Sequence, residues 1–239
     1  MVEVVCYHAE AVKIAIEAEA NRIELCSAPM EGGLTPSPGL VIAAKKICGA
    51  IPIHAMLRCR EGNFVYTDAE KELMLYDLKW LASSGVAGIV CGALKENHDL
   101  DIDFLANIKI NAQDLNLVFH RAIDVCTNPA KALEILIELG YSTILTSGSA
   151  TKAMDGIESI LQLNQQAKGR IEIMAGAGVN AKNIQEIKSK TGIQQIHLSA
   201  INPKMLEGFQ EGIQSFERAS PYLPDPAELK KCIALFNAI

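Results

Sequence analysis

The residues able to do chemistry in this chain stand where short apolar runs end. Arg22 to Ser37 reads R-I-E-L-C-S-A-P-M-E-G-G-L-T-P-S. It places Arg22 and Glu24 among Ile23, Leu25 and Cys26, where a buried parallel strand would otherwise be continuously apolar. Buried charges need partners. The arrangement returns at His54 and Arg58, at His120, Arg121 and Asp124, at Ser147, at Gly176 and Gly178, and at His197 with Ser199. A histidine beside carboxylates takes and gives protons near neutral pH, and an arginine grips a planar anion with two parallel hydrogen bonds. These types predict acid/base work by Glu24, His120 and Asp124, with Arg58, Arg121, Ser147 and Ser199 holding an anionic ligand. Gly176-Ala177-Gly178 ahead of a helix predicts an anion on backbone N–H groups, because glycine lets the backbone approach closely. The plainer reading pairs Arg22 and Glu24 with strand neighbours, fixes His54 and His197 in the interior by Glu3 or Glu24, and makes the glycine turn a steric device.

Only a scaffold that brings many strand ends to one place can make a single site of these groups. The pattern supplies one: strands over Val2 to Tyr7, from Arg22, Pro52 to Arg58, Gly88 to Gly92, Leu115 to His120, Ser142 to Thr146, Ile171 to Ala175 and Gln195 to Ser199, alternating with helical stretches. Ser37-Pro38 and Asn128-Pro129 mark helix starts, and Gly49 and Gly140 mark helix ends. A helix over Asp68 to Ser84 carries Leu73, Tyr76 and Trp80 as its packing stripe, and another starts from Asn180. Eight strand-then-helix units without a hairpin signal predict a single α/β domain, a (β/α)8 TIM barrel over 1–200, followed by an irregular segment and a helix over Ala227 to Ala238. The rival, a doubly wound open sheet, lacks its glycine fingerprint after the first strand.

At 239 residues, 49% of them hydrophobic, the chain can bury one large core. A net charge of -6 without a basic run argues against nucleic acid or an anionic membrane as the main partner. Met1 leads directly into a strand, without the basic and then apolar order of a signal sequence, which predicts a cytoplasmic protein. Seven scattered cysteines fit reduced thiols better than disulfides. Cu(I) is soft and favours thiolates. Cys6 and Cys26 end adjacent strands and are the candidate pair, although Cys6 has the opposite parity to Glu3 and would face the helices if Glu3 faces the interior.

The motifs E-V-V-C-Y, R-I-E-L-C-S-A-P-M-E-G-G-L-T-P-S, R-C-R-E-G-N-F, F-H-R-A-I-D, L-T-S-G, I-M-A-G-A-G-V and I-H-L-S-A follow one another up to about Ala200. In that order they resemble the CutC family, named as copper homeostasis proteins. The resemblance implies a (β/α)8 barrel, a cytoplasmic homo-oligomer and a role in copper binding and tolerance. Family members commonly have R-P-R-G-G-D-F where this chain adds Cys59 and Glu61 and carries Asn63, and often a cysteine where Val5 stands. Two functions follow: Cu(I) held by Cys26 with Cys6 or Cys59, or acid/base chemistry on a small anionic or phosphorylated metabolite at the barrel mouth.

Overall fold

The computed structural model describes residues 1–201 and 222–238. Its eight strands are β1 (Val2–Cys6), β2 (Arg22–Leu25), β3 (Ile53–Met56), β4 (Gly88–Cys91), β5 (Asn116–Phe119), β6 (Thr143–Thr146), β7 (Glu172–Ala175) and β8 (Gln195–Leu198). All pair in parallel in chain order, and β8 returns to β1, so the sheet closes as a barrel. Between and after them run α1 (Ala9–Glu17), α2 (Pro38–Cys48), α3 (Asp68–Ser84), α4 (Ile102–Ala112), α5 (Pro129–Glu138), α6 (Ile157–Ala167), α7 (Ile184–Thr191) and α8 (Pro226–Asn237). This is the (β/α)8 barrel that the alternation predicts. Most of the segment expected to be irregular after Ile201 lies outside the described residues. Among those described, no helix is long and apolar enough to cross a membrane.

Local chemistry sets the helix ends. Ser37, Asn128 and Asp225 each accept a hydrogen bond from a first-turn N–H, and a proline follows each of them. Thr67 and Glu70 close a reciprocal capping box at the start of α3. Two expectations are corrected. α7 begins at Ile184 and not at Asn180, because Asn180 and Asn183 accept backbone N–H bonds that hold a turn there. On α3 the inward residues are Met74, Leu78 and Leu81, whereas Leu73 and Tyr76 are 48% and 67% exposed. Both stripes have helical spacing; contact with the barrel and with α4 decides between them.

Strand side chains alternate between an outer layer beneath the helices and the barrel interior. Val5, Cys26, Met56, Val90, Val118, Leu145 and Met174 form a separate apolar cluster inside. Glu3, Arg22, Glu24, His54, Gln195 and His197 are contributed by β1, β2, β3 and β8 alone, so the interior is polar on one side and apolar on the other.

Leu78→Ala should lower stability by about 2–5 kcal/mol, the range for a buried leucine truncated in place. Tyr76→Ala should stay within roughly 0.5 kcal/mol, as exposed substitutions do. Urea unfolding of the two variants checks this, and the reverse order would restore the Leu73–Tyr76–Trp80 face as the inward one.

Candidate functional site

The strands' C-terminal ends surround a cavity of about 330 Å³. Glu24, Arg58, His120, Arg121, Gly176, Gly178 and Ser199 all line it, together with His197, Tyr7 and Phe64. Asp124, Ser147, Cys26 and Cys6 do not.

Glu24 stands at the end of a chain of buried charges. Glu3, fully buried, accepts from Arg22 Nε at 2.5 Å and from His197 Nδ1 at 2.8 Å. Arg22 also donates to Gln195 Oε1 at 3.0 Å, so its guanidinium is engaged on two sides. On the far side of the imidazole, Glu24 Oε2 lies 3.8 Å from His197 Nε2 and accepts from Cys26 Sγ at 3.5 Å. Oε1 of Glu24 is buried without a partner among the described residues. Burial pushes Glu3 upward, yet the His197 hydrogen bond and the Arg22 charge outweigh it and hold Glu3 at about 2. For Glu24 burial dominates; His197 pulls back, the Glu3 charge adds to the rise, and the carboxyl is pushed up to about 7. His197 is raised: burial opposes its charge, but the two carboxylates prevail.

His120 differs from the acid/base residue expected. It caps the short 3₁₀ turn Arg121–Val125, where its Nδ1 accepts from Ala122 N at 3.2 Å. That bond places the ring proton on Nε2, an atom with no partner among the described residues. Burial first, and then the Arg58 charge, lower its pKa to about 3, outweighing the opposing Asp124. His120 is therefore a neutral donor at ordinary pH and not a proton shuttle. The ring packs against Phe64 at 4.7 Å, tilted by 47°, and occupies the space beside Gly92, where a Cβ would come within 2.5 Å of Cε1. Gly88 makes the same room for His54.

Asp124 is occupied elsewhere. Its oxygens accept from Thr146 Oγ1 at 2.5 Å, Ser147 N at 3.1 Å, Ser149 N at 3.1 Å and Arg121 Nε at 2.8 Å. Ser147 Oγ joins the same knot at 2.9 Å. A carboxylate so saturated with donors is a brace for Arg121 and the loop after β6, which replaces the proton-transfer role expected of it. Ser147, buried in that brace, likewise positions Arg121 by accepting from its Nη2 at 2.8 Å.

The two arginines divide their work. Arg58 donates through Nη1 to Glu31 O at 2.5 Å and through Nη2 to Gly62 O at 2.8 Å, tying the loops after β2 and β3 together; its Nε is left unpartnered. Arg121, half-exposed at the rim, has its Nε and Nη2 engaged by the brace, and no described group accepts from its Nη1. Across the mouth Ala177 and Gly178 have φ of 78° and 69°, and the N–H groups of Ala177, Gly178 and Val179 have no acceptor among the described residues. Successive free N–H groups in such a turn form an anion-binding concavity.

The thiols fit copper poorly. Cys26 is buried beneath Gly33, whose added Cβ would lie 3.1 Å from Sγ, and burial with the neighbouring Glu24 raises its pKa well above the ordinary value. Cys6 lies in the outer core and bonds to Val4 O at 3.8 Å, so the pair proposed from the sequence does not converge. Cys59 is half-buried near Glu70 on α3. Among the described residues, the one group of three donors close enough for a metal is Glu3, Glu24 and His197, with oxygen and nitrogen atoms that do not suit Cu(I).

The structure joins the two sequence readings of His197: it lines the mouth and is fixed in the interior by Glu3. The glycine that seats His120 was not read, although a strand-end glycine preceding a histidine on the next strand is a usable signal.

Glu24 yields a pH-dependent expectation. Its folded pKa, about 7, lies above its ordinary value of 4.5, so between these the unfolded chain ionises first and the fold is penalised as pH rises. Glu24→Gln removes that penalty. Calorimetry should show the variant melting several degrees above the parent at pH 8, at roughly 2–4 °C per kcal/mol, with the difference vanishing near pH 4.5; an equal shift at both values would refute the assignment.

The CutC family model matches residues 1–202. A CutC family protein from Aliivibrio fischeri is 42% identical over 217 residues, covering 89% of this chain and 87% of its own. One from Vibrio cholerae is 45% identical over 201 residues, covering 83% and 79%. The solved structure of a Streptococcus agalactiae protein named for copper homeostasis, CutC, superposes with a TM-score of 0.79 at 33% identity, covering 82% of this chain and 97% of the other. On these matches, and on the barrel that carries the matched motifs, the chain belongs to the CutC family.

Proposed function

We propose that this chain binds a small anionic metabolite in the barrel mouth and performs proton-transfer chemistry on it, with Glu24 as the group that takes and returns the proton. One observation carries the reading: Glu24 Oε1, Arg58 Nε and His120 Nε2, from three different strand ends, are all buried without partners, and their residues line one cavity. Leaving a buried polar atom unmade costs about 1–3 kcal/mol each, a penalty that a ligand with matching groups relieves. Arg121 Nη1 and the N–H groups of Ala177 to Val179 supply the positive side that an anion needs. Seven free cysteines support a reducing, cytoplasmic setting. Exposed Ile42, Leu73, Tyr76 and Ile110 on α2, α3 and α4 support self-association.

The name of the Streptococcus agalactiae relative suggests copper homeostasis, and Cys26 is the thiol through which this chain would take part. The donor set argues for a role other than a thiolate-held ion, since the Cys26 thiol is buried and held well above its ordinary pKa, and Cys6 belongs to the outer core cluster and not to the interior one.

Calorimetric titration with 2-phosphoglycolate should give one site per chain, and Arg121→Ala should weaken it about tenfold, the effect of losing one charge-assisted contact of about 1.4 kcal/mol. Absence of binding would overturn the anion site. Anaerobic Cu(I) titration against a competing chelator should show no tight stoichiometric site; a 1:1 site abolished by Cys26→Ser would reinstate copper.

A further inference from the structure

The groups around the cavity are few enough to narrow the reaction, given the anion site proposed above, on which this inference rests. Among the described residues no lysine lines the cavity, so they offer no amine for an imine with a carbonyl substrate. Cys26, the thiol bonded to Glu24, is packed under Gly33, and no cysteine is among the described lining residues, so no sulfur nucleophile is offered. Besides Glu24 the described lining residues include one other carboxylate, Glu31, which is exposed on the 3₁₀ turn after β2. What remains among the described residues is one buried carboxylate oxygen without a partner, one imidazole N–H whose tautomer the Ala122 amide fixes, and a set of backbone donors for an anionic group.

We propose that the chain catalyses enolisation: Glu24 Oε1 removes the proton from a carbon next to the carbonyl of a small phosphorylated hydroxy-aldehyde or hydroxy-ketone, while His120 Nε2–H holds the carbonyl oxygen. In the step the C–H bond breaks and its proton passes to Oε1. The electron pair forms the C=C bond of an enediolate, and the carbonyl π pair moves onto the oxygen that accepts from His120. Return of the proton to the same carbon gives exchange with solvent; return to the former carbonyl carbon, once the neighbouring hydroxyl proton has passed to the former carbonyl oxygen, gives the isomeric aldehyde or ketone, and neither outcome consumes an oxidant or another reactant.

Each group has a reason to suit this chemistry. A neutral imidazole at the start of a helical turn donates to a developing oxyanion without giving up its proton elsewhere, and here Nδ1 is committed to the Ala122 amide. Oε2 of Glu24 is held by Cys26 and faces His197, which leaves Oε1 as the atom free to meet a C–H. His197 is in turn fixed by Glu3, so it acts as a positioning residue for Glu24. The Ala177 to Val179 turn, with Arg121 at the rim, takes the phosphoryl group. At about 330 Å³ the cavity is at the small end of ligand pockets and suits a sugar phosphate of two to six carbons.

The test is proton exchange in D₂O. The full chain is incubated with glycolaldehyde phosphate, dihydroxyacetone phosphate, ribose 5-phosphate and fructose 6-phosphate, and loss of the C–H signal next to the carbonyl is followed by proton NMR. Phosphorus line widths, with inorganic phosphate alongside, report binding. At least one sugar phosphate should exchange at a rate lowered on the order of 10³-fold in Glu24→Gln and 10²-fold in His120→Phe, typical losses for a base and an oxyanion donor, with binding retained. Binding without exchange would overturn enolisation and leave the anion site standing. Exchange undiminished in Glu24→Gln would overturn it as well. If neither the sugar phosphates nor inorganic phosphate bind, the inference and the anion-site reading fall together.

Discussion

A carboxylate with no exposure to water, Glu3, is the constraint on which the interior of this barrel depends. A lone buried ion would cost several kcal/mol, and an ion pair recovers that only when its geometry is good and its remaining lone pairs are satisfied. Glu3 meets both conditions, through Arg22 on the neighbouring strand β2 and His197 on the other neighbour, β8. These three residues close the seam where the first and last strands meet. The bond to Glu3 fixes which nitrogen of His197 turns towards Glu24, and that contact with Cys26 decides which oxygen of Glu24 is left for a ligand. The site is therefore an extension of the device that stabilises closure.

The opposite half of the interior makes this arrangement affordable in space. Val90, Val118 and Leu145 fill the far side with apolar side chains, and Met174 joins the two halves, its Sδ accepting from Arg22 Nη2 at 3.3 Å. Low local polarity strengthens each hydrogen bond in the cluster and raises the penalty for any group left alone. Glycines add the room: at Gly88 and Gly92 neither backbone has a positive φ, and the missing Cβ serves the His54 and His120 rings. Both glycines lie on the strand or strand end next to the histidine that they accommodate.

Much of this was legible in the sequence, for a physical reason. Strands in a closed parallel barrel have only two faces, so Glu3, Glu24, His54 and His197 could be assigned to the interior by parity alone, and Cys6 to the exterior. Helices offer more freedom. On α3, Leu73, Tyr76 and Trp80 have a spacing as good as that of Met74, Leu78 and Leu81, and only the packing against the barrel separates them. Roles beyond the strand ends were least legible. Asp124 stands four residues after His120, close enough to suggest a catalytic pair, but the 3₁₀ turn sends its carboxylate to the loop after β6. The residue type of Arg58 suggests an anion clamp, but its Nη atoms hold three backbone carbonyls, those of Glu31, Gly33 and Gly62, which sequence distance could not reveal.

The chemistry of the donors separates what this chain can do at its mouth from what the name of its relatives suggests. Soft Cu(I) is held by thiolates and thioethers, and a thiolate has to be formed first. Cys26 is placed where that is hardest, buried and donating its proton to a carboxyl group. To ionise it would set a second negative charge against Glu24 in a region of low polarity, and moving Cys6 towards it would invert the parity of β1. The oxygen and nitrogen atoms at the mouth face no such obstacle, because each already has its proton arrangement set by a neighbour: Nδ1 of His120 by an amide, Nδ1 of His197 by Glu3. A ligand that presents a carbonyl and an anionic group meets donors already in place, and neither the barrel nor its proton distribution has to rearrange to receive it.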